Sequence, residues 1–226
     1  PSIGYCYLFG YLMFKKEYLP IVKFLYVLVA IYILSLGVLT FGRTMIWKNN
    51  FTLWTDVISK NSRVPSAWND LGVAIMDTGN YKGAIENFCQ AIRIKPGYND
   101  AYINRACARM KLNDNLGAIE DLDFIIKRDS TMVLAYSNRA KARKALNDFR
   151  GAFSDYNKAI ALNPGSPELY FNRGSIFTDL KENQQAIDDF TRALNIDPMM
   201  IIAYTMRAEV YKLLNDRAAA LEDFDA

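Results

Sequence analysis

The chain has 226 residues, of which 51% are hydrophobic and 23% are charged, so it has enough apolar side chains for a packed core. It contains no histidine, which excludes histidine-dependent acid–base catalysis, nucleophiles activated by histidine, and nearly all zinc sites. Residues 1–64 carry seven Lys and Arg side chains against two acidic ones, whereas residues 65–226 carry 20 against 22, which is not the basic surface that binds nucleic acid.

Two apolar segments begin the chain. Residues 1–14 are apolar, but as a helix they would rise only about 21 Å, so they predict a short or partial membrane span. Residues 24–41 form an uncharged apolar run between Lys23 and Arg43, which is long enough for a transmembrane helix. A signal peptide is the alternative, but no small-residue cleavage site follows the run. We therefore predict a membrane segment over residues 1–43.

The basic residues on either side of the longer run bear on its orientation. Lys15, Lys16 and Lys23 precede it, whereas Arg43 and Lys48 follow it. Cytoplasmic flanks carry the excess of Lys and Arg. This count favours a cytoplasmic loop before the span and a non-cytoplasmic location, periplasm or lumen, for everything after it.

Residues 44–64 predict an amphipathic linker helix. Trp54, Val57 and Ile58 form an apolar stripe with helical spacing. Trp54 also lies 34 positions before Phe88, which is the period of the sequence that follows. Because the end of a repeat array exposes an apolar face, we expect this helix to cap the first repeat.

From residue 65 onward the sequence repeats itself with a period of 34 positions. The aligned positions are Trp68, Tyr102, Tyr136, Tyr170 and Tyr204; Ala84, Ala118, Ala152, Ala186 and Ala220; and Phe88, Leu122, Tyr156, Phe190 and Phe224. Pro96, Pro164 and Pro198 close three of the units. This period and residue pattern resemble the tetratricopeptide-repeat family over residues 65–226. The units are 65–98, 99–132, 133–166, 167–200 and a partial fifth, 201–226.

The resemblance implies two antiparallel helices per unit, here named helix A and helix B, stacked into a right-handed superhelix. In the first unit we expect helix A over about residues 66–78, a turn at Gly79 and Asn80, and helix B ending near Lys95. The predicted fold is all-α, with one or two transmembrane helices followed by this solenoid. Proteins of the family bind peptides or proteins on the concave face.

Two charged columns repeat together. The arginines are Arg105, Arg139, Arg173 and Arg207, and the aspartates, 16 positions later, are Asp121, Asp155, Asp189 and Asp223. The first unit has Leu71 and Asn87 at these positions. Joint presence and joint absence predict structural ion pairs between helix A and helix B, because a partly buried guanidinium needs a carboxylate. The alternative is a ladder of guanidinium groups that binds acidic ligands.

A polar column immediately precedes the arginines. Its members are Asp70, Asn104, Asn138 and Asn172. In the family geometry this position faces the concave groove, where a carboxamide can both donate to and accept from a peptide backbone. We therefore predict these residues as peptide-binding. The alternatives are a solvated polar face or a hydrogen bond to the neighbouring helix.

A second resemblance includes the N-terminal region. The initial Pro-Ser-Ile-Gly, the apolar span, and Arg43, Trp47, Leu53 and Trp54 leading into the repeats are similar to the C-terminal part of transmembrane-and-tetratricopeptide proteins related to protein O-mannosyltransferases. The resemblance implies repeats on the non-cytoplasmic side, and glycosyl-transfer chemistry on acidic residues in earlier loops. No position in this sequence matches those acidic residues, so no catalytic residue is assigned.

The sequence thus predicts a membrane-anchored interaction module that binds a peptide or partner protein in its groove. One alternative is the C-terminal part of a polytopic glycosyltransferase whose repeats recruit the acceptor, and another is a structural scaffold of a membrane complex. We predict no cofactor, metal or nucleic acid, and the three cysteines follow no disulfide or metal-binding pattern. Because the sequence starts at a proline, we expect it to be part of a longer protein.

Overall fold

The computed structural model describes residues 19–225, which form twelve α-helices and no strand. The fold of this part is therefore all-α, as predicted. The contacts divide the chain between residues 59 and 60 into two units, and each is described by itself. The expected short span at 1–14 lies outside the described residues.

The first unit contains α1, Leu19–Ile46, and all but the last residue of α2, Asn50–Lys60. Within α1, Lys23–Gly42 is the one stretch of the described residues that is long and apolar enough to cross a membrane, judged by length and composition. The side chains of this stretch are exposed. Helix α2 starts where the Asn49 side chain accepts a hydrogen bond from the Thr52 backbone N–H at 2.8 Å, an N-cap interaction. The capping of the first repeat by this segment stays a prediction.

The second unit is a series of helix pairs, each an A helix followed by a B helix. The pairs are α3 Pro65–Met76 and α4 Tyr81–Ile94; α5 Asn99–Lys111 and α6 Asn115–Arg128; α7 Val133–Ala145 and α8 Phe149–Leu162; α9 Pro167–Asp179 and α10 Asn183–Ile196; and α11 Ile201–Leu213 and α12 Arg217–Phe224. Each helix packs on the next one along the chain, which is the arrangement of a solenoid.

The turn between A and B contains a left-handed residue in every pair. A residue just beyond the A helix has a positive φ, with values of 81°, 62°, 61°, 61° and 60° at Gly79, Asn113, Asn147, Lys181 and Asn215. In the last four pairs the next residue donates its N–H back to the A helix, as Asp114 does to the Arg109 carbonyl at 2.9 Å, forming a Schellman motif. The Asp114 carboxylate then accepts from the Gly117 N–H at 3.0 Å and caps the B helix.

The core lies between the A and B helices of each pair. The aligned alanines of the B helices are at most 3% exposed, and Phe88, Leu122, Tyr156 and Phe190 are at most 1% exposed. Where the facing A-helix residue is glycine, the aromatic ring lies against it, since a Cβ on Gly72 would come 2.5 Å from Cε1 of Phe88. The small residue and the ring therefore set how closely the two helices approach.

Candidate functional site

Each arginine of the charged column points its guanidinium fork at the aspartate of the same repeat. From Nε and Nη2 to the two carboxylate oxygens, the distances are 2.9 and 2.5 Å for Arg105–Asp121, 2.9 and 2.6 Å for Arg139–Asp155, 2.7 and 2.7 Å for Arg173–Asp189, and 2.8 and 2.5 Å for Arg207–Asp223. The arginine side chains are 14–19% exposed and the aspartates 4%. This two-bond geometry is the strongest form of a guanidinium–carboxylate contact.

The third nitrogen of the same guanidinium reaches the preceding repeat. Nη1 donates to the residue 16 positions earlier on helix B, with acceptors Cys89 at 3.2 Å, the Asp123 carboxylate, Asn157 at 2.6 Å and Thr191 at 2.8 Å. Every arginine of the column therefore contacts three helices. It joins its own helix A, its own helix B and the helix B of the repeat before.

Burial and hydrogen bonding act in opposite directions on these guanidinium groups. Burial acts to lower the pKa of Arg105 and Arg139, but hydrogen bonds to Asp121 and Asp155 outweigh it, so the pKa of both lies above the ordinary value. Each column arginine also lies over the tyrosine three positions before it. The distances from Cζ to the ring centroid are 5.3, 5.5, 5.8 and 5.7 Å along the array, within cation–π range.

The second and third repeats add another arginine to the same aspartate. Arg109 Nη1 lies 3.0 Å from the Asp121 carboxylate, and Arg143 Nη1 lies 2.8 Å from that of Asp155. Arg109 also donates to the carbonyl of Gly117 at 2.7 Å. No repeating column in the sequence marks this position, because the other repeats have Ile75, Phe177 and Tyr211 there.

Neighbouring A helices meet along one face, which we call the inner seam and define by the side-chain contacts between three pairs of A helices. Asn104 Nδ2 donates to Asn69 Oδ1 at 3.0 Å, between α5 and α3. Asn138 Nδ2 lies 3.7 Å from Cys107 Sγ, between α7 and α5. The Lys144 ammonium donates to Ser175 Oγ at 2.6 Å and lies 2.9 Å from the Asp179 carboxylate, between α7 and α9.

Two residues of the polar column, Asn104 and Asn138, lie in the inner seam, and each uses only part of the hydrogen-bonding capacity of its amide. Asn104 is half-buried and Asn138 is 5% exposed, yet no donor to the Oδ1 of either lies among the described residues. Asn172 is half-buried and makes no side-chain hydrogen bond within that part of the chain. Asp70 accepts from the adjacent Asn69 at 3.1 Å. The amides of Asn104 and Asn138 therefore each retain an acceptor and a second N–H.

Family models described as the tetratricopeptide repeat match residues 65–98, 133–166 and 167–200. Protein O-mannosyl-transferase TMTC3 of Homo sapiens is 27% identical to the chain over 114 residues. That stretch is 50% of this chain and 12% of the relative. The similarity therefore covers a small part of the length of the curated relative.

Solved structures show the same fold. TTC0263, a tetratricopeptide-repeat protein of Thermus thermophilus, aligns with a TM-score of 0.62 and 22% identity over 72% of this chain and 89% of that chain. YrrB, described as a TPR protein with an unusual peptide-binding site, aligns with a TM-score of 0.58 and 16% identity over 76% and 89% of the two chains. At these identities the likeness concerns the architecture.

Proposed function

Since the chain is a tetratricopeptide-repeat protein, and thus a protein-interaction module, we propose that it is anchored in a membrane and holds an extended polypeptide along its inner seam. In this proposal residues 1–43 are the membrane segment, 44–64 the linker and 65–226 the repeat domain. The observation that carries the proposal is the row of partly engaged carboxamides where the A helices meet.

The inner seam suits a polypeptide backbone for a chemical reason. A peptide group presents one donor and one acceptor, and a carboxamide with a free oxygen and a free N–H can satisfy both. Asn104, Asn138 and Asn172 recur at the period of the repeat, so successive repeats offer the same group to one chain. Binding of this kind depends on the ligand backbone and tolerates different ligand side chains. YrrB, whose fold is similar, is described as having a peptide-binding site.

Membrane anchoring is supported by α1. Twenty residues of helix span about 30 Å, the thickness of the hydrocarbon core of a bilayer. The side chains of Lys23–Gly42 are exposed, and a continuous apolar surface of this size requires a lipid or protein cover. The count of flanking basic residues supports repeats on the non-cytoplasmic side.

The groove is tested with peptides selected on the whole chain. Phage-displayed 12-residue peptides are selected on the wild-type protein in nanodiscs, and their affinities are then measured for a variant with Asn104, Asn138 and Asn172 all changed to Ala. Each backbone hydrogen bond contributes about 0.5–1.5 kcal/mol, so the variant should bind at least about tenfold more weakly.

The matched control is Asn195→Ala, which removes an exposed carboxamide from helix α10 and should leave the affinity unchanged. Thermal melts establish that both variants fold. Unchanged affinity of a folded triple variant would contradict groove binding and favour the scaffold interpretation.

The likeness to protein O-mannosyl-transferase TMTC3 favours a second candidate function. Here the repeats would recruit an acceptor polypeptide for a glycosyltransferase whose reactive residues lie elsewhere in a longer chain. The gene sequence upstream of the codon for Pro1 tests this. Several further apolar spans with an acidic residue in the first extracytoplasmic loop would support it, whereas a start codon shortly before Pro1 would contradict it.

A further inference from the structure

An apolar notch lies at the A–B turns of the third and fourth repeats. Its walls are Phe149 and Phe153 of α8, Phe177 of α9 and Leu180 in the following turn, and its volume is about 500 Å³. The rings of Phe153 and Phe177 meet edge to face, with centroids 5.4 Å apart and an interplanar angle of 65°. Leu180 is 42% exposed, so the notch presents apolar surface to solvent.

The notch is lined by three aromatic rings that replace non-aromatic residues of the preceding junction. Phe177 stands where the two preceding repeats have Arg109 and Arg143, whose guanidinium groups bind the aspartate of their own repeat. Phe153 replaces an isoleucine of the neighbouring repeats. Phe149 likewise stands where the flanking repeats have asparagine. Three aromatic rings are not needed to stack the repeats here, since the preceding junction stacks with Asn115, Ile119 and Arg143 at the same positions.

Three charged side chains line the notch. Asp148 already has partners, since it accepts from the Gly151 N–H and lies 3.8 Å from Nε of Arg143, which leaves one unpaired charge of each sign. These two charges are Arg150 and Glu182; both are exposed, and neither has an ion-pair partner among the described residues. An aromatic side chain that fills the notch would therefore meet a cation and an anion at its edge. The complementary ligand carries a carboxylate and an ammonium on the residues next to that aromatic group.

We propose that this notch is a second binding site, separate from the inner seam, for a peptide segment of a partner protein in which an aromatic residue lies between an acidic and a basic residue. The aromatic ring of the ligand packs on the exposed sides of the Phe153 and Phe177 rings, where further aromatic contacts are available. The flanking carboxylate contacts Arg150, and the flanking ammonium contacts Glu182. The site would fix one point of a partner while the inner seam holds another segment.

Fluorescent 12-residue Gly-Ser peptides with a central Glu-Phe-Lys, Lys-Phe-Lys or Glu-Ala-Lys test the proposal by anisotropy with the full chain in nanodiscs. We expect the Glu-Phe-Lys peptide to bind most tightly, and to lose about tenfold or more on replacement of Phe by Ala. It should be preferred over Lys-Phe-Lys by about threefold, as expected for one exposed ion pair. Arg150→Glu should reverse that preference.

Phe177→Arg fills the notch with the residue of the two preceding repeats, and Asp189 can receive it as Asp155 receives Arg143. Leu180→Glu is the second variant, at an exposed position, should the first fail to fold. Both should weaken Glu-Phe-Lys binding about tenfold, whereas the triple asparagine variant should bind this peptide normally.

Three results would overturn the proposal. The first is that none of the peptides binds at concentrations up to about 1 mM, which corresponds to a very weak affinity. The second is binding that survives Phe177→Arg and Leu180→Glu but is lost in the triple asparagine variant. The third is a dimer that mass photometry detects and that Phe177→Arg dissociates, while none of the peptides binds. The notch would then be occupied by a second copy of the chain.

Discussion

The arginine of the charged column is the residue that joins one repeat to the next. Its Nε and Nη2 hold the aspartate of its own repeat, its Nη1 reaches the preceding helix B, and its plane lies over a tyrosine. One side chain thus fixes the A–B packing and the stacking of repeats together. The first repeat has Leu71 and Asn87 at the two positions and makes its A–B contact there without an ion pair.

The pair Arg173–Asp189 tests this role best, because Asp155 and Asp121 are shared with a second arginine. Asp189→Asn should lower the free energy of unfolding by up to about 3 kcal/mol, since it leaves a mostly buried guanidinium without its carboxylate. The double variant Arg173→Leu and Asp189→Asn installs the pair found in the first repeat. It should cost less than Asp189→Asn alone, as measured by urea denaturation. Equal and small losses in both variants would mean that the two side chains are solvated.

At the level of the element, the A–B turn is formed by a left-handed residue followed by a capping residue. Asparagine and aspartate occupy these positions in three of the repeats and suit them, because asparagine tolerates positive φ and aspartate caps a helix. The fourth repeat departs from this, with Lys181 at a φ of 61° and Glu182, whose side chain makes no capping hydrogen bond.

Replacing Lys181 and Glu182 by Asn and Asp should therefore stabilise the protein. The expected gain is about 1–2 kcal/mol, from relief of the lysine backbone conformation and from a new N-cap on α10. A rise in the midpoint of thermal unfolding measures it. The third repeat already has this pair, as Asn147 and Asp148. There the Asp148 carboxylate accepts a hydrogen bond from the Gly151 N–H at 2.9 Å, which is the contact that the substitution should create. No rise in the midpoint would indicate that the turn is not a source of strain.

Helix α1 is the element on which the membrane proposal depends. Leu34 lies in the middle of the apolar stretch and is 68% exposed. Leu34→Arg should impede insertion, because an arginine at the centre of a span costs about 2.5–3.5 kcal/mol on insertion scales. The fraction of protein that resists alkaline carbonate extraction measures the effect. Leu116→Arg, at a position that is 67% exposed in α6, is the matched control and should change nothing.

At the scale of the whole molecule, the sequence predicts the helix pairs well because the repeat period places the same residues on the same faces. The first helix A is predicted at 66–78 and runs over Pro65–Met76 in the structure. The long apolar run is likewise one helix. Periodic patterns of this kind arise from packing, and packing is what fixes the helices of a solenoid.

The contacts that the sequence does not predict are those whose partner residues differ in type from one repeat to the next. The Nη1 acceptors of the column arginines are a thiol, a carboxylate, a carboxamide and a hydroxyl, so no column of like residues marks this contact. The notch is a second example. Phe153 and Phe177 lie 24 positions apart and meet only because two turns are stacked next to each other.

Photo-crosslinking from a single position tests most directly whether a peptide binds along the inner seam. Lys141 is exposed on α7, one turn after Asn138, whereas Lys158 is exposed on helix B α8. A photo-reactive amino acid is placed at either position in the full chain in nanodiscs, with a peptide selected on the wild-type protein as the probe. We predict strong crosslinking from position 141, weak crosslinking from 158, and loss of the former in the triple asparagine variant. Equal yields from both positions, or yields at 141 unaffected by the asparagine substitutions, would contradict the account.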